Sequence, residues 1–227
     1  MRPVSYVILL AVFGFIANAA CVDSPRERAG KAPVGSPVPY TGKEDEYIAE
    51  RTALLGGRGD RVSGTLRLRL ANGQTFQLVD KIEDGGEYRR YVYDRWVSEA
   101  SLHVVTLHLY EGGGYVVVHG GVASEAWLTG PPVVSPDGRR FVAISSELDD
   151  FYSPNRLEIW QIDKTGLVRE FAIDGEHAWG PEKATWVDAA TVQFVRVRID
   201  RAGSQDERVP VRLLKRGDHW TLQRAAE

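Results

Sequence analysis

The chain has 227 residues, with 28 Lys+Arg against 31 Asp+Glu and a formal charge of −3. Hydrophobic residues at 43% and charged residues at 26% are ordinary globular usage, which excludes wholesale disorder. There is no basic excess to suggest a nucleic-acid partner, and the single cysteine excludes an intramolecular disulfide.

Met1-Arg2-Pro3 carries one positive charge, Val4 to Ile16 is an apolar run of 13 residues, and Ala17-Asn18-Ala19-Ala20-Cys21 follows. This pattern predicts a secretory signal over residues 1–20. The run is shorter than the ~20 residues a membrane-spanning helix needs. Ala19-Ala20-Cys21 resembles the lipobox of bacterial lipoproteins, with Asn18 where Leu is usual. The resemblance implies that Cys21 is lipidated and becomes the new N-terminus. It also implies an exported protein held by lipid in the bacterial cell envelope, facing the periplasm. The alternative is cleavage after Ala19, using Ala17-Asn18-Ala19, which yields a soluble periplasmic or secreted protein. Residues 22–42 contain four prolines and no hydrophobic periodicity. Residues 21–42 are therefore expected to be the anchoring cysteine and a flexible tether.

Lys43 to Leu55 reads as one short helix, capped by Thr41 and stopped by Gly56-Gly57, and residues 43–61 as helix and connection. A β-domain is expected over 62–227. Thr65 to Leu70 alternates strictly, Asn72-Gly73 supplies a turn, and Thr75 to Val79 returns, which predicts a hairpin. Strand-like segments then follow at Tyr88–Tyr93, Leu102–Tyr110, Tyr115–His119, Ala123–Leu128, Arg140–Ser145, Leu157–Ile162, Leu167–Ile173, Ala184–Val187, Val192–Ile199, Val209–Lys215 and His219–Gln223. No helix-length period interrupts them, which argues against a parallel βαβ plan.

An internal repeat runs through these segments. Trp96 to Val105 aligns without gaps with Trp186 to Val195, and Val134 to Ile144 fits the same strand–turn–strand template. The spacing suits a unit of about 40–50 residues, such as a four-stranded propeller blade. Ser135-Pro136-Asp137-Gly138-Arg139 resembles the turn of TolB-like and WD40-like propellers, and Leu157 to Ile162 with Thr165-Gly166 resembles their third strand and turn. The resemblance implies an antiparallel, propeller-like β-meander of three to four blades. Three blades would span about 87–224, with the 64–80 hairpin as half of a fourth. A β-sandwich is the alternative.

Chemistry is less legible. His103, His108, His119, His177 and His219 show no zinc-site spacing, and each reads as a structural histidine. No nucleophile elbow or S-x-x-K is present. Gly112-Gly113-Gly114 and Gly120-Gly121 open no helix, so they read as turns rather than phosphate cradles. Arg67, Arg69, Arg196, Arg198, Arg208 and Arg212 alternate with apolar residues and read as the wet face of half-buried strands. Arg58-Gly59-Asp60 reads as a chance tripeptide. No catalytic residue, metal site or cofactor is expected.

The one long connection, Glu147 to Arg156, carries Asp149, Asp150, Phe151 and Tyr152. An exposed aromatic and acidic loop suits a partner surface, and Trp179 at the next corner is expected to join it. The sequence thus points to a non-enzymatic envelope lipoprotein that binds another protein or an envelope component. The alternative is an envelope hydrolase or lyase using Asp149, Asp150, Glu176 and His177.

Overall fold

A computed structural model describes residues 50, 54, 56–82, 86–148, 153–175, 178–198 and 207–224. The architecture is that of the unit Pro33–Glu227. Among the described residues, fifteen strands form four antiparallel sheets, each in strict chain order. The first sheet contains β1 (Gly59–Val62), β2 (Thr65–Arg69) and β3 (Thr75–Val79). The second contains β4 (Arg89–Val97), β5 (Leu102–Leu109), β6 (Gly113–His119) and β7 (Glu125–Leu128). The third contains β8 (Pro132–Val134), β9 (Arg140–Ser145), β10 (Arg156–Asp163) and β11 (Gly166–Asp174). The fourth contains β12 (Gly180–Asp188), β13 (Thr191–Arg198), β14 (Glu207–Arg216) and β15 (His219–Arg224). The protein is all-β, an antiparallel meander of four sheets as the sequence predicts, and this arrangement fits a propeller-like or a sandwich plan. Of the expected helix, only Glu50 and Leu54 are described, and both are helical.

Two strands depart from the sequence reading. β1 begins at Gly59, inside the segment read as a connection, so the 64–80 hairpin is a three-stranded sheet. Its four residues carry Asp60 and Arg61 and show no apolar alternation. The cross-strand pair of Asp60 with Arg67, 2.5 Å, falls in the β1–β2 register but is invisible to periodicity. β8 is three residues long, too short for a pattern.

The sheets pack face to face in chain order. Successive side chains of a strand point to opposite faces, and β9 shows the consequence. Phe141 and Ala143 pack with Leu102, Val104, Val117 and Leu128 of the second sheet. Val142 and Ile144 pack with Val192, Phe194 and Leu213 of the fourth. The third sheet is therefore buried on both faces, while Leu66, Leu68 and Leu78 supply the buried face of the first sheet. Thr75, Gln77 and Val79 are exposed on β3, and Arg212 and Gln223 on β14 and β15.

The repeat has a structural counterpart. Trp96 and Trp186 lie near the ends of β4 and β12, the first strands of their sheets, and Pro136 to Gly138 joins β8 to β9. An irregularity between Trp186 and Asp188 shifts the register by one residue. Trp96 thus pairs with His103, whereas Trp186 pairs with Val192.

The tight turns share a mechanism. A side-chain oxygen accepts the N–H two residues on, which closes an Asx turn. Asn72 does this to Gln74 at 2.9 Å, Asp137 to Arg139 at 3.1 Å, Asp163 to Thr165 at 2.7 Å and Asp188 to Ala190 at 2.7 Å. Burial pushes the Asp137 carboxyl up, but the Ser135 hydroxyl and the Arg139 N–H outweigh it and hold the group below the usual carboxylate range.

Candidate functional site

Antiparallel meanders sort their connections between two ends of the molecule. The Asx turns lie at one end, and the longer connections 146–155 and 175–179 lie at the other. Asp149, Asp150, Phe151 and Tyr152 lie outside the described residues, as do Glu176, His177 and Cys21. The base from which the loop springs is described. Asn155 is 2% exposed, and its side-chain oxygen accepts the Glu147 N–H at 2.6 Å. Its backbone carbonyl accepts the Gly175 N–H at 2.7 Å. A Cβ on Gly180 would meet Ser146 Oγ at 2.1 Å and Asn155 Oδ1 at 3.1 Å, so the corner lies close against the loop base. The structure thus brings the roots of the two predicted partner segments together.

Trp179 stands at this end and is half-buried. Its ring stacks on Phe194 at 6.2 Å and packs against the core between the third and fourth sheets. Beside it opens a gap of about 280 Å³ lined by Ile173, Trp179, Phe194, Arg196, Val211, Leu222 and Gln223. Arg196 corrects the sequence reading. Arg67, Arg69, Arg198, Arg208 and Arg212 do lie on wet faces, but Arg196 turns into this gap. Two alternations of opposite phase meet in β13. Val192 and Phe194 set the inward face, and Arg196 follows them.

A larger cleft of about 480 Å³ lies at the turn end, spanning the first three sheets. Arg58, Arg69, Trp96, Glu99, His119, Asp163 and Lys164 line it, with backbone from Gly57, Gly120, Gly121 and Gly138. The Arg58 guanidinium lies 4.3 Å from the Trp96 ring centroid, within cation–π range. His119 Nδ1 accepts the N–H groups of Gly121 and Val122 at 3.1 and 3.2 Å, so that nitrogen carries no proton. Burial lowers the His119 pKa, and nearby Asp163 partly opposes this.

Behind the cleft, His103 is fully buried. Its Nε2 lies 3.1 Å from the Arg69 carbonyl, which can only accept, so Nε2 bears the proton. Nδ1 then accepts the Tyr93 hydroxyl at 3.2 Å. Burial drives the His103 pKa down to about 4; the Arg69 bond resists this and Arg58 reinforces it. The same burial pushes the Tyr93 phenol up to about 12. The bond of His103 to the Arg69 carbonyl ties the second sheet to the first, and burial keeps His103 and Tyr93 neutral.

Among the described residues, no three His, Cys, Asp or Glu side chains gather as a metal site, and no helix is long and apolar enough to cross a membrane. Comparison with family models, with curated proteins and with solved structures returned no match.

Proposed function

We propose that the chain is a non-enzymatic lipoprotein of the bacterial cell envelope that binds another protein or an envelope component through its long-loop end. The observation carrying this reading is the shared root of the two candidate segments: Asn155 bonds Glu147 on one side and Gly175 on the other. A rigid base under two polar–aromatic connections is how a β scaffold presents a contact surface. The lipobox-like Ala19-Ala20-Cys21 supports export and anchoring. Two or more acyl chains on Cys21 would hold the protein stably at a membrane.

Metabolic labelling with a fatty acid tests the anchor. The wild type takes the label, and Cys21→Ser loses it and moves to the aqueous phase. A soluble wild type beginning at Ala20 would instead establish cleavage after Ala19. A pull-down from envelope extracts tests the binding role. Phe151→Ala with Tyr152→Ala is expected to weaken capture of the enriched partner by more than about 2 kcal/mol, with little change in melting temperature.

A further inference from the structure

The gap at the long-loop end holds an arginine with an unpartnered donor. Arg196 Nε is buried and has no hydrogen-bond partner. The register explains why. Arg196 pairs with Pro181 on one side and Val209 on the other, and neither has a side-chain acceptor. The nearest acidic residue in the register, Glu182, pairs with Val195 and is engaged by Arg208 at 2.6 Å. The walls around Arg196 are Ile173, Phe194, Val211, Leu222 and Trp179. Burying an unpaired donor of a charged group costs free energy, and native proteins rarely leave one without a reason.

We propose that this gap binds a small aliphatic carboxylate, with its hydrocarbon chain among Ile173, Phe194, Val211 and Leu222 and its carboxylate on Arg196. A guanidinium presents donors in a planar fork that matches a carboxylate. The volume of about 280 Å³ sits at the lower limit of the ~300–1,000 Å³ range of small-molecule sites. A peptide C-terminus shares the carboxylate, but its amides would need acceptors and donors along the chain. Of the lining side chains, only Gln223 and the Trp179 indole could join Arg196 in supplying them. Leu222, 41% exposed, provides an apolar mouth. The inference stands apart from anchoring and partner capture, and neither outcome of those experiments decides it.

Calorimetric titration of the full-length protein in neutral-lipid nanodiscs, with empty nanodiscs as blank, tests it. Sodium octanoate is expected to saturate one site and to bind at least about tenfold tighter than 1-octanol, since a bond to a charged group is lost with the alcohol. Acetate, lacking the chain, should give no measurable binding. Arg196→Met should weaken octanoate at least about tenfold, leave octanol unchanged and not lower the melting temperature. Octanoate no tighter than octanol, or an Arg196→Met protein that binds octanoate as before, would overturn the proposal. So would N-acetyl-leucyl-leucine binding tighter than octanoate. Leu222→Glu provides a second variant: it sets a carboxylate at the mouth and should abolish octanoate binding in a folded protein. Undiminished binding there also counts against the site.

Discussion

The Glu50 carboxylate accepts the Tyr93 backbone N–H at 2.9 Å across 43 residues of chain. Asp80 does the same for Tyr91, also at 2.9 Å. Arg61 stands between the two acids, 2.8 Å from each, and donates to the Tyr91 carbonyl. β4 is the edge strand of its sheet; beyond a single bridge of Arg89 with Lys81, no strand pairs its outward side among the described residues. Two carboxylates and a guanidinium therefore satisfy an edge that another strand would otherwise pair. Burial raises the Asp80 pKa, against the Tyr91 N–H and Arg61, which lower it.

Glu50→Ala is expected to cost about 3 kcal/mol in urea denaturation, because it leaves a buried N–H and a half-neutralised Arg61. Glu50→Gln keeps an acceptor for Tyr93 and should cost less. Equal losses in the two variants would mean that the charge, and not the acceptor, is what the edge requires.

His103 sets an acid limb on stability. Its pKa is about 4 in the fold, below the ordinary 6.5. Between these values the unfolded chain binds more protons than the native one, so stability falls as pH drops from 6.5 toward 4. The full contribution is of order 3 kcal/mol. Melting temperature against pH should show this fall in the wild type and a flatter profile in His103→Gln. His119 is also lowered by burial and should leave a smaller residual slope in that variant.

Gly138 and Gly73 both occupy left-handed turns, with φ of 68° and 80°. They differ in surroundings. A Cβ on Gly73 meets nothing within 4 Å, whereas one on Gly138 would sit 2.3 Å from the Glu99 carbonyl oxygen of the neighbouring sheet. Gly73→Ala should cost about 1 kcal/mol from backbone strain alone. Gly138→Ala should cost several, because the contact with the second sheet must also open. Similar melting temperatures for the two variants would show that the turns of adjacent sheets are not nested as described.

These turns were legible in the sequence because their chemistry is local. Asn72, Asp137, Asp163 and Asp188 each bond two residues ahead, and the strands between them alternate. The features that escaped are long-range. Nothing near Glu50 announces Tyr93, and β1 shows its pairing only through Asp60 and Arg67. Arg196 was misread because Val195-Arg196-Val197-Arg198 mimics a wet strand, while the phase is set earlier by Val192 and Phe194. The shared root of the 146–155 and 175–179 connections shows only in the bond of Asn155 to Gly175.

Glu170 joins the third sheet to the fourth. Its carboxylate accepts Arg140 Nε at 2.9 Å, Lys215 Nζ at 2.9 Å and the Trp220 indole N–H at 3.1 Å. Burial raises its pKa, but these three donors prevail and hold it below the usual carboxylate range. Its stabilisation is therefore present at neutral pH and is lost as pH falls through the carboxylate range. Among the described residues the fourth sheet shares its core with the third, so this hub matters most there. Glu170→Ala leaves Arg140 and Lys215, each 17% exposed, without their shared acceptor. The expected cost is about 3 kcal/mol. In hydrogen exchange, protection at Val192, Phe194, Val211 and Leu213 should fall, while Val104 and Val117 of the second sheet change little. Glu182→Ala, which breaks a pair whose members are 32% and 52% exposed, should cost under about 1 kcal/mol and serves as the control. A uniform loss of protection across both sheets would show that Glu170 supports the second sheet as much as the fourth.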